Sequence, residues 1–421
     1  MKVLGVVTEY NPFHNGHKYH IEKSKKITNC DTTIAVMSGH FLQRGEPALL
    51  DKWTRGEMAL HSGVDLVIEI PTVYACATAE FFSYGSLKLL EATGMVTDIS
   101  FGSEHGDLPL LQEIAEVLVE SPKEFESYLQ VSLEKGNLFP VARSEALSHY
   151  IKKHKSLKDH EVLVLERVLK SPNNILAIEY LKSLIRSKSA IKPHTIQRIS
   201  APYHDRNIRG SIASATAIRE HLLHKKDRGS LTPVLPEASY KLLTSAMDED
   251  KGPVFIRDFQ DILLALLRRS SPKDLRRIFD VTEGLENRLI HGAMTSVSLE
   301  ELLQKVKTKR YTYTRIQRIL MHLLLNIEKK ELLSYNEKGG PKYIRVLAFN
   351  DRGRVLLRRM KKESSLPVIT NLKHYHPQDS LAKSMMACDL RAGSLFTLAM
   401  GNAKIKTQNQ EYQNRPRYVQ G

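Results

Sequence analysis

VVTEYNPFHNGHKYH, Val6–His20, decides how this chain is read. An apolar, β-branched run ends at Thr8, and Pro12 then fixes the backbone of a turn. His14 and His17 flank Gly16, and the residues that follow, GHKYHIEKSKKI, carry a helical pattern. A strand therefore passes into a helix through a loop holding two imidazoles and a glycine. The amino terminus of a helix offers unpaired N–H groups and a partial positive charge, which suits a phosphate. Gly16 lets the backbone approach a ligand closely. Two imidazoles in such a loop donate to phosphate oxygens, most strongly as charge builds at a phosphorus under attack. The expectation is a cradle for a nucleoside triphosphate at His14, Gly16 and His17.

Outward from this loop, KVLGVVT (2–8), TTIAVMS (32–38), VDLVIEI (64–70) and VTDISFG (96–102) read as buried strands separated by helical patterns. Strands alternating with helices at this spacing give an α/β class: an open, parallel, Rossmann-like sheet with helices on both faces. Ligands of such sheets bind outside the carboxyl ends of the strands, where the opening loop falls. Residues 107–190 read as helical, HTIQRIS (194–200) as a further strand, and SATAIREHLLHKK as a helix opening on small hydroxylated residues. The division expected is a catalytic domain over 1–225, a linker over 226–240, a helical region over 241–335, a small basic α+β region over 336–402, and a polar tail over 403–421 that frays.

The chain has 421 residues, 42% of them apolar, which excludes a disordered protein. It holds no run of 18 apolar residues, and Glu9 and Asn11 come too early for a signal peptide. Cys30, Cys76 and Cys388 lie too far apart for a disulfide framework or a CxxC metal site, so a cytoplasmic setting is expected. HxxH alone lacks a third and fourth ligand, so no metal site is expected. The net charge of +15 favours a polyanionic partner, nucleic acid ahead of a membrane.

Further positions have functional and plain readings. Gly102 ends a strand and lets backbone approach a purine or ribose; an ordinary turn glycine looks the same. Asn173 and Asn174 follow Ser171–Pro172 at a helix start, where capping is the plain account. Arg198 interrupts an apolar strand and suits a phosphate. In SGHFLQRGEPALLDKW (38–53), His40, Gln43 and Arg44 face the strand-end rim. There Arg44 and Lys52 are expected on phosphate or tRNA, against a loop closed by an Arg44–Glu46 pair. DRGRVLLRRMKK places Arg358, Arg359, Lys361 and Lys362 in one run. KVKTKRYTYTRIQR interleaves Lys309, Arg310 and Arg315 with Tyr311 and Tyr313. Basic residues beside exposed aromatics suit phosphate contact and base stacking.

HNGH after a strand resembles the HxGH signature of the nucleotidyltransferase superfamily. SATAIR, Ser214–Arg219, resembles the S-x-T-x-I-R signature of adenylyltransferases, whose hydroxyls and arginine hold the β- and γ-phosphates. EYNPFHNGH, VMSGHFLQRGEPALLDKW, SPNNILAIEYL, TIQRIS, RYTYTRIQRIL and LPVIT together resemble the bacterial tRNA(Met) cytidine acetate ligase family over essentially the whole chain. That resemblance implies a nucleotidyltransferase sheet and a ligase. Acetate would be activated with ATP as acetyl-adenylate, and the acetyl group passed to the exocyclic amine of the wobble cytidine of elongator tRNA(Met), giving N(4)-acetylcytidine. It implies His14 and His17 as catalytic residues. ATP contacts fall on Val7, Thr8, Glu9, Tyr10, Asn11, Pro12, Phe13, His14, Asn15, Gly16, His17, Lys18, Tyr19 and His20. Others fall on Gly102, one asparagine of Asn173–Asn174 (Asn173 favoured), Arg198 with Ile199, and Ser214 with Thr216. Mg²⁺ enters only as the partner of ATP. The tRNA is expected on Arg44, Lys309, Arg310, Arg315, Arg358, Arg359, Lys361 and Lys362. Two departures stand out: there is no Lys-Met-Ser-Lys-Ser loop of class I synthetases, and Ala213 and Ala215 replace small positions of the adenylyltransferase motif. The competing readings are a small-molecule adenylyltransferase of cofactor biosynthesis and a non-catalytic RNA-binding protein.

Overall fold

The computed structural model describes residues 1–421 except 156–158, 199–209, 226, 283 and 378, together with the side chains of 159–161. Among the described residues eight strands form one sheet: β1 (Val3–Thr8), β2 (Thr32–Ser38), β3 (Leu66–Ile70), β4 (Asp98–Ser103), β5 (Lys192–Gln197), β6 (Ile344–Phe349), β7 (Val368–Ile369) and β8 (Arg417–Tyr418). Their order is β5-β4-β1-β2-β3-β6-β7, with β8 paired to β6. β1 to β5 are mutually parallel, and β6 runs antiparallel to β3. β2 and β3 are buried along their whole length, as expected of central strands covered on both faces.

The covering helices begin with α1 (Asn15–Thr28), α2 (Lys52–Leu60), α3 (Thr72–Ala75) and α4 (Ala79–Ala92). α5 (Leu108–Glu120), α6 (Lys123–Glu134), α7 (Phe139–Lys155), α8 (Asp159–Lys170) and α9 (Pro172–Ser187) fill the crossover between β4 and β5. Next come α10 (Ala215–His224), α11 (Glu237–Asp248), α12 (Gln260–Arg269), α13 (Pro272–Leu275), α14 (Leu285–Thr295), α15 (Leu299–Val306), α16 (Tyr313–Leu325) and α17 (Lys329–Glu337). α18 (Asp351–Glu363), α19 (Ser380–Leu398), α20 (Ala403–Lys406) and α21 (Gln410–Gln413) complete the chain.

The late segments return to the sheet. The 336–402 stretch, expected as a region of its own, supplies β6 and β7. The 226–240 stretch, expected as a linker, buries Leu231, Val234 and Leu235 in the cluster that holds Tyr10, Phe13 and Trp53. The tail does not fray: β8 pairs with β6, and Glu411 is buried. The cause is a buried ionic knot. Lys52 Nζ lies 2.7 Å from Glu69 Oε1 and 2.9 Å from Glu411 Oε2. Arg345 Nη2 lies 2.6 Å from Glu411 Oε2, and its Nη1 3.4 Å from Glu69 Oε2. Burial pushes the Glu411 carboxyl up, but Arg345, Lys52 and His40 outweigh it and hold it at about 2.

The carboxyl ends of β1, β2, β3 and β4 line one edge of the sheet. The helical region closes on that edge through α16. Gly45, in the loop after β2, has φ +76°, and a Cβ there would run into the Gln317–Arg318 backbone.

Candidate nucleotide-binding site

The loop after β1 is built by its own backbone. Tyr10 takes a left-handed φ of 46°, and the Asn11–Pro12 peptide is cis. His14 is the N-cap of α1: its Nδ1 accepts from Gly16 N at 3.1 Å. His17 Nδ1 accepts from His14 N at 3.3 Å. These two bonds set the tautomer. With Nδ1 an acceptor in each ring, the neutral imidazole carries its proton on Nε2. Burial, then Arg198 and Arg219, lowers the His14 pKa to about 3. Burial, His14, Arg198 and His20 hold His17 well below its ordinary value. The rings stack with centroids 3.8 Å apart. Tyr10 and Phe13 pack on His17 at 5.0 and 5.4 Å. A Cβ on Gly16 would stand 2.9 Å from the His14 ring, so glycine is what lets that ring fold back onto the helix. The outcome is a pair of neutral N–H donors at a helix amino terminus.

Distant segments hold the loop in place. Asn15 Nδ2 donates to Ser211 O and Pro233 O, each at 2.9 Å, and Asn15 N donates to Val234 O at 3.0 Å. Arg219 Nη1 donates to Asn11 O at 3.0 Å, and its Nη2 pairs with Glu46 Oε1 at 2.9 Å. Glu46 therefore meets Arg219, where the competing reading of this loop pairs it with Arg44. Asn11 Oδ1 accepts from Leu49 N at 2.6 Å. Arg55, fully buried, donates to Glu9 O at 2.6 Å, Leu50 O at 3.0 Å, Ser38 O at 3.1 Å and also Gly39 O. It ties the ends of β1 and β2 together. Sequence reasoning passed over Arg55, because its partners Glu9, Ser38 and Gly39 lie at the carboxyl ends of β1 and β2, which meet it only in the fold.

SATAIR lies beside this loop: Ile212 would touch a Cβ on Gly16 at 3.8 Å. Ser214 Oγ caps α10, accepting from Ala217 N at 3.1 Å, and Thr216 is exposed in its first turn. On the β4–β5 side, a Cβ on Gly102 would meet the Arg198 stem at 3.1 Å, so Gly102 makes room for that side chain. Arg198 stands one residue past β5 rather than within it, and Ile199 lies outside the described residues. His20, the third imidazole on this face of α1, is lowered to about 4 by burial and Arg198, against the opposing effect of the Phe101 backbone.

Glu104, also passed over, organises the asparagine doublet. Its Oε1 accepts from Asn173 Nδ2 at 2.7 Å and Asn173 N at 3.1 Å; its Oε2 accepts from Asn174 N at 2.8 Å. Asn174 Oδ1 in turn accepts from Glu104 N and His105 N, and its Nδ2 donates to Val168 O. Asn174 is thus buried and fully engaged, while Asn173 keeps an acceptor oxygen at the rim.

Other expected contacts fall elsewhere. Lys52 reaches neither phosphate nor tRNA, being fully buried in the ionic knot. His40 is buried too, stacked on Phe396 at 4.5 Å. Lys18 lies exposed on α1, 3.9 Å from Glu22, and Tyr19 lies under Lys23. Lys309, Arg310, Arg358, Arg359, Lys361 and Lys362 are exposed. Arg315 is spent on Asp280 O at 2.6 Å and Thr282 Oγ1 at 2.8 Å. Tyr311, expected to stack on a base, is buried; Tyr313 is exposed, beneath the Lys307 ammonium at 4.4 Å. α18 begins against Asp65, at the amino-terminal end of β3, and so at the sheet edge opposite the histidine pair. An open cleft of about 610 Å³ lined by Ile27, His105, Asp107 and His194 shares none of the site residues. Among the described residues no cluster of three or more His, Cys, Asp or Glu side chains could hold a metal, and no helix is long and apolar enough to cross a membrane.

A model of the HIGH nucleotidyl transferase family matches residues 1–411. The tRNA(Met) cytidine acetate ligase of Alkaliphilus metalliredigens is 45% identical over 419 residues, 99% of this chain and 99% of that relative. The enzyme of the same name from Thermoanaerobacter sp. (strain X514) is 47% identical over 405 residues, 96% of this chain and 97% of that relative. Two crystal structures of Thermotoga maritima TmcAL superpose along the whole of both chains. The apo form has a TM-score of 0.95 at 39% identity, and the form bound with alpha-thio ATP has 0.93 at 37%.

Proposed function

The chain belongs to the tRNA(Met) cytidine acetate ligase family of HIGH nucleotidyl transferases, and from that premise we propose that it activates acetate with ATP and acetylates elongator tRNA(Met). The observation that carries the chemistry is the pair of neutral Nε2–H donors at the start of α1. ATP lies with its phosphates over the α1 amino terminus, where backbone N–H groups and the helix dipole favour an anion. An acetate oxygen attacks the α-phosphorus, the bond to the β-phosphate breaks, and pyrophosphate leaves. The His14 and His17 N–H groups hold the charge that grows on the α-phosphate oxygens. As neutral donors fixed by their own backbone, they need no reorganisation at that moment. Arg198 adds positive charge beside both rings, and Asn173 and Gly102 border the nucleoside side. Ser214 and Thr216 bring the α10 amino terminus to the outer phosphates. Mg²⁺ accompanies the ATP phosphates, with no resident site needed.

The exocyclic amine of the wobble cytidine then attacks the acetyl carbon, and AMP departs. The charge of +15 supports the RNA partner, as do the exposed cations of 307–310 and 358–362. Three free, buried cysteines support a cytoplasmic setting. The test is isotope exchange between pyrophosphate and ATP, with and without acetate, followed by labelled acetate and tRNA(Met). Acetate-dependent exchange and label in the tRNA are expected. Transfer of AMP to a phosphorylated vitamin derivative would make the chain a cofactor adenylyltransferase. No exchange at all would leave an RNA-binding protein.

A further inference from the structure

We propose that Glu9 is the general base of the acetyl-transfer step, taking the N4 proton of the cytidine on its Oε2. This rests on the ligase reading and adds a residue role to it. The step balances as follows. The N4 lone pair forms a bond to the acetyl carbon, and the bond from that carbon to the AMP phosphate oxygen breaks. AMP leaves with the electron pair, and one N4 proton passes to Glu9. Without that transfer the product would be a protonated amide, so an acceptor is required beside the attacking nitrogen.

The structure narrows the acceptor by exclusion. His14 and His17 already use Nδ1 to accept backbone N–H groups and carry their protons on Nε2, so neither ring can take another without losing its bond. Among the described residues, Glu9, Glu46, Glu69 and Glu104 stand at this strand edge, and Glu69 is held in the ionic knot by Lys52 and Arg345. Glu104 uses both oxygens on the α9 amino terminus. Glu46 is paired with Arg219. Glu9 accepts from Gln43 N through Oε1 at 2.7 Å, and no described residue donates to its Oε2. Arg219 donates from Nη1 to Asn11 O at 3.0 Å, in the stretch of loop that joins Glu9 to His14, and acts electrostatically on both. A carboxylate in this loop suits an amine that must lose a proton. Burial raises the Glu9 carboxyl above its ordinary value, which brings it nearer the working pH as a base. Among the described residues, the charged and titratable groups facing it are Arg44 and Glu46 after β2, Arg55 on α2, Arg219 on α10, Tyr180 on α9, and Cys76 after α3.

The experiment uses the full chain and divides the reaction. Pyrophosphate exchange with acetate reads adenylate formation. Synthetic acetyl-AMP supplied with tRNA(Met) in a single turnover reads transfer alone. Glu9→Gln keeps an acceptor for Gln43 N but cannot take a proton. It is expected to slow transfer by about 10²–10⁴-fold while exchange falls by far less. Glu9→Asp is expected to recover part of the transfer rate. The wild-type transfer rate should rise with pH through one ionisation above the ordinary glutamate value, and Glu9→Gln should lack that rise. Transfer at the wild-type rate in Glu9→Gln overturns the proposal, as does an equal loss of exchange and transfer. A fold failure in Glu9→Gln passes the decision to Glu9→Asp and the wild-type pH profile, where a flat profile overturns it. If the wild type shows no acetate-dependent exchange, the ligase reading itself has failed.

Discussion

The histidine cradle and the ionic knot are both polar and both largely buried, yet they are built in opposite ways. The cradle draws its donors from His14 to His17, fixed by bonds between residues two or three apart. The knot joins Lys52, Glu69, Arg345 and Glu411, from α2, β3, β6 and α21, and none of its parts means anything until the sheet has formed. The cradle keeps its groups neutral and so keeps N–H donors for a ligand. The knot keeps its groups charged and spends them on one another. Burial of a polar group can thus serve binding or architecture, and the partner count distinguishes them: a buried donor with capacity left is available for chemistry.

The largest test of this difference is Glu411→Ala. It leaves Lys52 and Arg345 buried with Glu69 as their remaining acidic partner in the knot, and breaking a buried pair costs about 3–5 kcal/mol. Urea unfolding should show that loss. A cost under about 1 kcal/mol, the scale of a surface pair, would place the knot with ordinary salt bridges and break the comparison. The next largest is His14→Ala, which removes one donor aimed at the growing phosphate charge. Pyrophosphate exchange should fall by about 10²–10³-fold, or about 2.7–4 kcal/mol of transition-state stabilisation, with much less change in unfolding. If His14→Ala destabilises the fold as much as Glu411→Ala does, the ring is architecture and the assignment is wrong.

The same contrast explains what could be read from the chain before folding. The cradle was legible because a strand, a proline turn, a glycine and a helix start are local signals, and their order alone places the loop at the carboxyl end of β1. The parallel strands were legible for the same reason. Lys52 was misplaced on phosphate because nothing near it in sequence reveals that Glu69 and Glu411 will meet it. The tail was expected to fray because its composition is polar; the single buried carboxylate that anchors it has its partners far away in the chain. Glu104 and Arg55 escaped notice likewise, since capping α9 and bridging the ends of β1 and β2 are relations between segments. β6 carries strand residues, but its return to the β3 edge could not be seen from the sequence between them.

Acidity sharpens the comparison from the cradle side. His14, lowered to about 3, and His322, lowered to about 4 by burial, stay neutral in the fold while the unfolded chain takes up protons below about pH 6.5. The unfolded state then binds more protons, so stability falls as pH drops from about 6.5 toward 4. Glu69 and Asp389, held above their ordinary values chiefly by burial, work in the opposite sense, so the effect is read as a difference between variants. In His14→Ala the slope over this window should be shallower by up to about 1.4 kcal/mol per pH unit. An unchanged slope would mean that the His14 ring is protonated in the fold, and its role as a neutral donor would be lost.

The smallest effect belongs to Asn15→Ala. Its amide joins the cradle to Ser211 O and Pro233 O, neutral bonds in an exposed setting where water can replace the lost donor. The Asn15 N–H to Val234 O bond survives the change. A net cost of about 1 kcal/mol is expected, the ordinary worth of such bonds. Binding of ATP should weaken several-fold, because the loop carrying both imidazoles is then held at fewer points. The same argument makes the measurement informative at either extreme. If Asn15→Ala costs as much as Glu411→Ala, the cradle depends on the distant 211–234 segment as the knot depends on its four strangers, and the claim that local backbone builds it fails. If stability and ATP binding are both unmoved, the bonds from Gly16 N and His14 N to the two rings suffice by themselves, and the site is more local than its surroundings suggest.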